Sequence, residues 1–588
     1  MTLGRQPITI VEIDLPLCSR VYGTAPCTAV LSAANPAKCF NTRATCQDVP
    51  NYLGVNTQTL RFAPNQSGLP KGQTIFPALK SVSSRASEIN LSGIDPRTNA
   101  LGKRARVTVN LQDFAYIDTL TDPYQSQRVS GAAQFGGVGY KPQDRGQFFA
   151  RLSARQPYYV GKALRVKRGF VGDAIASMAT SHYVITDWSG PDAGGAVQIT
   201  AADVLDLADN VKAVAPKASR GKLSADMTIS ATTATLIPAT VGAEYPTSGK
   251  VSIGREIVSF TRAGDVLTMT GRGLNNTTAA VHKISDVVQV CLEYVTQRPC
   301  DVISNLLTAF AGVSAAFINT AVWQAENDAW LTDIKLSRVI PRPVGVAQLI
   351  GEICQVGVMV WSEDLSQAIS FRANRPLSPG ETSIPLTDKA NSITGTINVM
   401  KADEQRVSSL FFYHSVIDPT DAVLSSRNYD KLTIATVTDD LYGQQAIKEI
   451  FCPWFGTVGN ETAAGVISER LLERYRTTPD VFTAMLDEKD SATIGMGTIV
   501  AVSSMVLQDA TGAIKPKQMQ VNMVERGSGR LQIKAETYDI TGRFGFWMQD
   551  PQVQYDTTAT ATQKAEGAFW MDDTIGTFPD ATGPYVWF

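Results

Sequence analysis

The chain has 588 residues, 18% of them charged, with 53 Lys and Arg against 55 Asp and Glu and a pI near 6.1. Single cores rarely grow beyond about 250 residues, so several units are expected, and the low charge points to large subunit interfaces. No Lys/Arg run exceeds two residues, which removes the electrostatic term that dominates nucleic-acid binding; no apolar run approaches the roughly 20 residues that span a bilayer.

In chain order, the N-terminal MTLGRQPITIVEIDLPLC shows no basic segment followed by an apolar core and cleavage site, so folding in a cytoplasm is expected. Alternating apolar and polar residues then recur at Arg106–Leu111, Ala163–Arg168, Tyr183–Asp187 and Ala196–Thr200, which predicts strands. Residues 1–217 read as an N-terminal β domain, interrupted by a cysteine-rich loop at 14–52 and closed by a short helix around Ala201–Ala208. Residues 218–292 carry short, closely spaced strand signals with turns at Pro246–Gly249, Ala263–Asp265 and Gly271–Gly273, the pattern of a small β sandwich or barrel.

Longer helices are predicted only after that, at Cys300–Phe310 and Val344–Val356, followed by strands at Val358–Trp361 and Ala368–Arg372. Residues 293–400 therefore read as an α/β unit. Residues 401–548 read as a last β domain holding one amphipathic helix, Glu461–Arg476, with strands at Gly497–Val502 and Leu531–Tyr538. The stretch 549–588 is rich in Thr, Ala, Asp and Gly with isolated aromatics such as Phe569, Trp570 and Trp587. It has two readings, a flexible tail or an extended arm laid on a neighbouring subunit. The fold class expected is mainly β and multidomain (α+β), with barrel-like domains, a small β-sandwich insert and a few packed helices.

Four of the eight cysteines, Cys18, Cys27, Cys39 and Cys46, follow one another with spacings of 8, 11 and 6 residues. Four readings compete. Two disulfides suit a secreted domain, whereas cytosolic thiols stay reduced. Zinc on four cysteines usually takes close C-x2-4-C pairs, which are lacking here. A 4Fe-4S cubane offers separate iron corners and accepts wider spacing. Four unconnected thiols complete the set. Gly23, Pro26, Pro36 and Pro50 fix turns in the loop, and Arg20, Lys38 and Arg43 stand ready to offset the negative charge of an oxidised cluster.

Catalytic motifs are sparse. The chain has three histidines, His182, His282 and His414, and no HExxH; each His reads as an ordinary turn or strand residue. His414 with Cys452 is the most plausible cysteine-peptidase pair, although Cys452-Pro453-Trp454 reads as a structural turn. Glu256 interrupts the apolar set Ile253, Ile257 and Val258. The Gly271-Arg272-Gly273 triplet reads as a turn, because no GxxxxGK[ST] accompanies it.

The strings CSRVYGTAPC (Cys18–Cys27) and KCFNTRATCQDVPNY (Lys38–Tyr52) resemble the cysteine loop of hub proteins in siphophage and gene-transfer-agent tails. Their cysteine arrangement is similar to that of the lambda tail-tip protein that holds a 4Fe-4S cluster, with a shorter middle spacing. NLQDF (110–114), GQFFARL (146–152), PYYVG (157–161), GFVG (169–172) and HYVITD (182–187) resemble pieces of the same family's N-terminal hub domain, and YPTSGKVSIGREIVSFT (245–261) resembles a small tail-tip β domain. The resemblance implies that Cys18, Cys27, Cys39 and Cys46 ligate a 4Fe-4S cluster, zinc being the lesser candidate. It implies a non-enzymatic structural subunit of the virion tail tip, assembled in the bacterial host cytoplasm as a homo-oligomer, a trimer in this family. Its implied partners are the distal tail protein, the central fibre or receptor-binding protein and the tape-measure C-terminus, with DNA only as passing cargo and no stable membrane insertion. The alternative function is a soluble iron-sulfur oxidoreductase or redox-sensing protein.

Overall fold

Strand β1 (Pro7–Leu17) shows why the N-terminal part folds as it does: Val11, Ile13 and Leu15 alternate into a core, while Glu12 and Asp14 point to the other face. There Glu12 meets Arg61 and Arg165 at 2.8 Å each, on the strands either side of it, a cross-strand pairing of opposite charges. Six further strands complete one antiparallel sheet: β2 (Asn56–Phe62), β3 (Leu79–Arg85), β4 (Arg106–Gln112), β5 (Ala163–Phe170), β6 (Ala179–Ser189) and β7 (Ala196–Ala202). Their order is β2-β1-β5-β6-β7-β4-β3. The outer strands meet just beyond their ends, where the Leu79 N–H donates to the Ala63 carbonyl at 3.0 Å and the Ala63 N–H to that of Phe76 at 2.9 Å. The sheet thus closes almost into a barrel around Val11, Ile13, Val107, Val109, Leu164, Val166 and Ile199. Helix α2 (Phe148–Arg155) inserts Phe148 and Phe149 into that core.

The computed structural model describes residues 6–538, together with 544–545 and 586–587, except 96–99, 119–121, 136–139, 364, 376, 379–380, 389, 438–441, 457–460, 489–490, 492, 528 and 539–540. The arm expected at 549–588 lies outside the described residues, apart from Val586–Trp587, which pair in parallel with Phe544–Gly545. The protein is mainly β and multidomain, as its alternation patterns indicate. The helix expected at Ala201–Ala208 is replaced by the end of β7 and a short helix, Asp206–Asp209, because Ala201 and Ala202 pair with Val107 and Arg106; strand pairing overrides the helix propensity of alanine. Among the described residues no helix is long and apolar enough to cross a membrane.

Beyond the barrel, two cores span residue 400. Helices Pro299–Asn305, Thr320–Trp330, Val346–Cys354 and Glu461–Tyr475 pack with a three-stranded sheet of Ser409–Val416, Tyr429–Thr436 and Ile447–Cys452. A six-stranded sheet joins Ile384–Thr387 and Asn398–Lys401 to the strands of 480–537. The segment between β3 and β4 straps the barrel to both. Its Ile89 and Leu91 enter the core of the six-stranded sheet, and its Ile94 and Leu101 the helical core; a fully buried side chain of this size contributes about 1.5–3 kcal/mol. The Ile89 N–H donates to the Asn522 carbonyl at 2.8 Å, and Glu88 lies between Lys103 and Lys534.

The small β domain occupies Lys222–Val290, six antiparallel strands around Val251, Ile253, Val258, Phe260 and Leu267. One of its expected turns is a two-residue hairpin at Gly264–Asp265, with Gly264 at φ +61°. The acid in its apolar run, Glu256, has a side chain with no solvent exposure. It accepts from Arg272, from the Gly273 N–H at 3.1 Å, from the Ala280 N–H at 3.0 Å and from His282 Nε2 at 2.7 Å. The triplet 271–273 is therefore a turn held by a buried carboxylate.

Two outcomes follow. Gly102 has φ +75° and an added Cβ would lie 1.9 Å from the Glu88 carbonyl oxygen. Gly102→Ala is expected to cost at least about 1–3 kcal/mol, and limited proteolysis should then cut within the strap. Burial raises the Glu256 carboxyl, but Arg272, the Ala280 N–H and His282 outweigh it and bring it to about 2 from 4.5. Its stabilisation is full above about pH 4.5 and lost as pH falls towards 2. Glu256→Gln should lower the melting temperature at neutral pH and flatten that acid limb in calorimetry.

Candidate metal centre

The cysteine loop leaves the barrel at the end of β1 and returns at the start of β2, where Leu17 faces Asn56. A single 3-10 turn, Val49–Asn51, is its only regular helix. Between residues 18 and 55 only Ala29, Lys38 and Thr42 are buried, and none of the loop joins a hydrophobic cluster. Loops of this length without elements or core of their own are uncommon in compact domains. Some other tie must hold it.

Within it, Cys18, Cys27, Cys39 and Cys46 all line one small pocket, with Arg20, Tyr22, Asn41, Gln47 and Tyr52. All four are partly exposed, and none of the eight cysteines is in a disulfide. The Cys18 N–H donates to the Asn41 carbonyl at 2.7 Å. The Cys27 and Cys46 arms are joined by Asp48, which accepts from the Thr28 N–H at 2.7 Å and its hydroxyl at 3.0 Å. Gln47 takes the Tyr22 hydroxyl at 2.7 Å and donates to the Ala37 carbonyl at 2.8 Å. Burial pushes the Cys46 thiol up, the Asp48 N–H opposes it, and Cys39, Cys18 and Cys27 add to the rise. Tyr52 is raised by burial and then by Cys18 and Cys46, Tyr22 by burial and then by Cys39 and Cys27. Both phenols line the pocket with the four thiols.

The donor set can be tested against the candidate groups. Among the described residues, no three His, Cys, Asp or Glu side chains gather closely enough for a single metal ion. A zinc ion needs all its thiolates at about 2.3 Å, whereas a cubane holds its ligands at four separate corners. Around the same pocket Arg20 Nε, Tyr52 Oη and Asn41 Oδ1 are buried without hydrogen-bond partners. Four free thiols at one pocket, with two orphaned donors on residues of its lining, fit an anionic sulfur-rich core.

Helix α1 (Gln125–Gln134) and α2 support the loop from below. Arg128, buried at 1% exposure, donates to the carbonyls of Lys38 and Cys39 and pairs with Asp122. Two guanidiniums lie over the Phe40 ring, Arg128 at 4.2 Å and Arg155 at 4.0 Å from its centre. Arg155 is fixed by two bonds to Asp118, at 3.1 and 2.7 Å. Tyr140 donates to Asp118 at 2.9 Å and to Asp122 at 3.0 Å. Of the cations expected to offset a cluster, Arg20 lines the pocket. Lys38 turns under the loop, its ammonium 2.9 Å above the Tyr124 ring and its pKa lowered by burial and Arg128. Arg43 lies 5.9 Å from the Tyr52 ring.

The other candidate residues are dispersed. Cys291, Cys300, Cys354 and Cys452 are buried, and burial pushes each thiol up to about 12. Cys452 does stand beside His414 across parallel strands, but a fully buried thiol held protonated is no nucleophile at neutral pH. His182 lies on β6 opposite Arg165, and His282 is a partner of Glu256.

No protein-family model matches the chain, and no curated protein matches it. Among solved structures, a tail protein from Neisseria meningitidis MC58 aligns at 9% identity over 78% of this chain and 96% of its own, with a TM-score of 0.36. The 43 kDa tail protein of prophage MuSo2 from Shewanella oneidensis aligns at 11% identity over 79% and 99%, with a TM-score of 0.34. A chain from the virion of a native gene transfer agent particle aligns at 15% identity over 41% and 48%, with a TM-score of 0.27.

Replacing Arg128 by Met should leave Asp122 buried without its cation, a change that typically costs about 3–5 kcal/mol. In hydrogen–deuterium exchange, peptides covering residues 36–46 should exchange faster while β1 stays protected; unchanged exchange would show that the guanidinium does not hold the loop.

Proposed function

We propose that the chain is a structural hub subunit of a phage or gene-transfer-agent tail tip whose cysteine loop is stapled by a 4Fe-4S cluster on Cys18, Cys27, Cys39 and Cys46. One observation carries the metal part of the reading: four free, partly exposed thiols from a coreless loop converge on one pocket, while the other four cysteines are buried and scattered. When bound, the cluster supplies four thiolate bonds that cross-link the arms of the loop. The protein's own residues do the rest. Arg128 fixes the Cys39 backbone, Asp48 joins the Cys27 and Cys46 arms, and α2 carries the support down into the barrel core.

The hub part rests on the order of the family-like strings in the sequence. NLQDF and GQFFARL supply Phe114, Phe148 and Phe149, an aromatic layer beneath the loop whose rings lie 5.0 to 6.5 Å apart. In this role the work is geometric. A nearly closed barrel strapped to two further cores holds its shape under load, and a ring of such subunits, a trimer, joins tail tube and distal tail protein above to the central fibre below. No catalytic step enters the proposal.

Immunogold electron microscopy of purified particles tests the location: label at the tail tip supports the hub role, and particles without the chain overturn it. For the centre, anaerobically purified protein should carry iron and acid-labile sulfide in equal amounts with little zinc. Cys→Ser at position 18, 27, 39 or 46 should deplete both and expose the loop to protease, while Cys291→Ser leaves both unchanged. Zinc in place of iron would replace the cubane.

A further inference from the structure

The orphaned polar atoms around the thiol pocket have a use that loop stability does not explain. Arg20 Nε and the Tyr52 hydroxyl are donors, both buried, both without partners, and both on the wall formed with the four cysteines. Leaving such a donor unmet costs about 1–3 kcal/mol, so two of them at one pocket call for an acceptor there. Tyr52 lines the pocket together with Cys18 and Cys46, and an added Cβ on Gly54 would sit 2.9 Å from its ring. Its backbone is anchored by the turn that closes on the Val49 carbonyl at 3.2 Å.

On the reading that a 4Fe-4S core occupies this pocket, we infer that Tyr52 and Arg20 donate hydrogen bonds to its sulfur atoms, cysteinyl or inorganic, and thereby set its reduction potential. Sulfur carries more negative charge in the reduced cluster than in the oxidised one. A donor aimed at it therefore stabilises the reduced form more and raises the potential. Asn41 stands at the same wall. Its Nδ2 is taken by a 3.5 Å contact with the Cys18 carbonyl, so the donors left for the core are those of Arg20 and Tyr52. The centre would then be a staple whose redox state is biased by its own loop.

The test uses the full chain purified anaerobically, as parent, Tyr52→Phe and Arg20→Gln. Iron and sulfide are measured first, then the midpoint potential by a titration followed by electron paramagnetic resonance. Both variants should keep the parent's iron content. At a fixed ambient potential the reduced-to-oxidised ratio should fall about tenfold in each, which is about 59 mV for a one-electron couple. Resonance Raman of the parent supplies a second measurement that needs no variant: its iron–sulfur stretching bands should shift on exchange into deuterium oxide, and less so in Tyr52→Phe. A parent without iron overturns the cluster reading itself. A parent with the cluster, but with potentials unchanged in both variants, overturns the donor assignment alone. Variants that fail to load leave the decision to the parent, where bands insensitive to deuterium also overturn it.

Discussion

The Arg128 guanidinium joins the cysteine loop to the folded body beneath it. It sits in the interior with Asp122 as its counter-charge and spends its other donors on the carbonyls of Lys38 and Cys39. A charge buried this deeply is tolerated only when paired and fully hydrogen-bonded, so the loop carbonyls complete the solvation of the arginine as much as the arginine fixes the loop. Phe40 extends the arrangement by packing its ring against both Arg128 and Arg155. Arg155 belongs to the helix whose first turn fills the barrel with phenylalanine. Order thus passes from an apolar interior, through two ion pairs, to a surface excursion that has almost no apolar interior of its own.

The rest of the molecule is organised by a comparable economy of connections. The strap between β3 and β4 contributes to two cores at once, with Ile89 and Leu91 in one and Ile94 and Leu101 in the other. Cores shared across distant stretches of sequence make hinge motion between units costly, because opening them would expose apolar side chains to water.

Much of the fold could be read from the residues. Alternation located β4, β5 and β7 to within a few positions, since a strand with one face in a core has to alternate. The same reasoning missed α1 and α2. QSQRVSGAAQ presents no continuous apolar face, and the two phenylalanines that open α2 are called for by the barrel end rather than by helix periodicity. At the site, the four thiols that cluster in the sequence also line one pocket in the structure. Arg128, Phe40 and Tyr124 were beyond reach, because Arg128 meets its loop carbonyls some 90 residues away in sequence and nothing local marks that pairing. Glu256 did carry a signal, an acid in an apolar run, and its three kinds of donor explain why the charge is kept there.

The meeting of β2 with β3 narrows what the sheet leaves open at its edges. An open sheet offers its outermost backbone groups to any passing strand, a route to runaway polymerisation. Here the Ala63, Phe76 and Leu79 amides are already engaged by the opposite side of the same sheet. Along this stretch of the seam, a strand arriving from outside finds those three donors already taken.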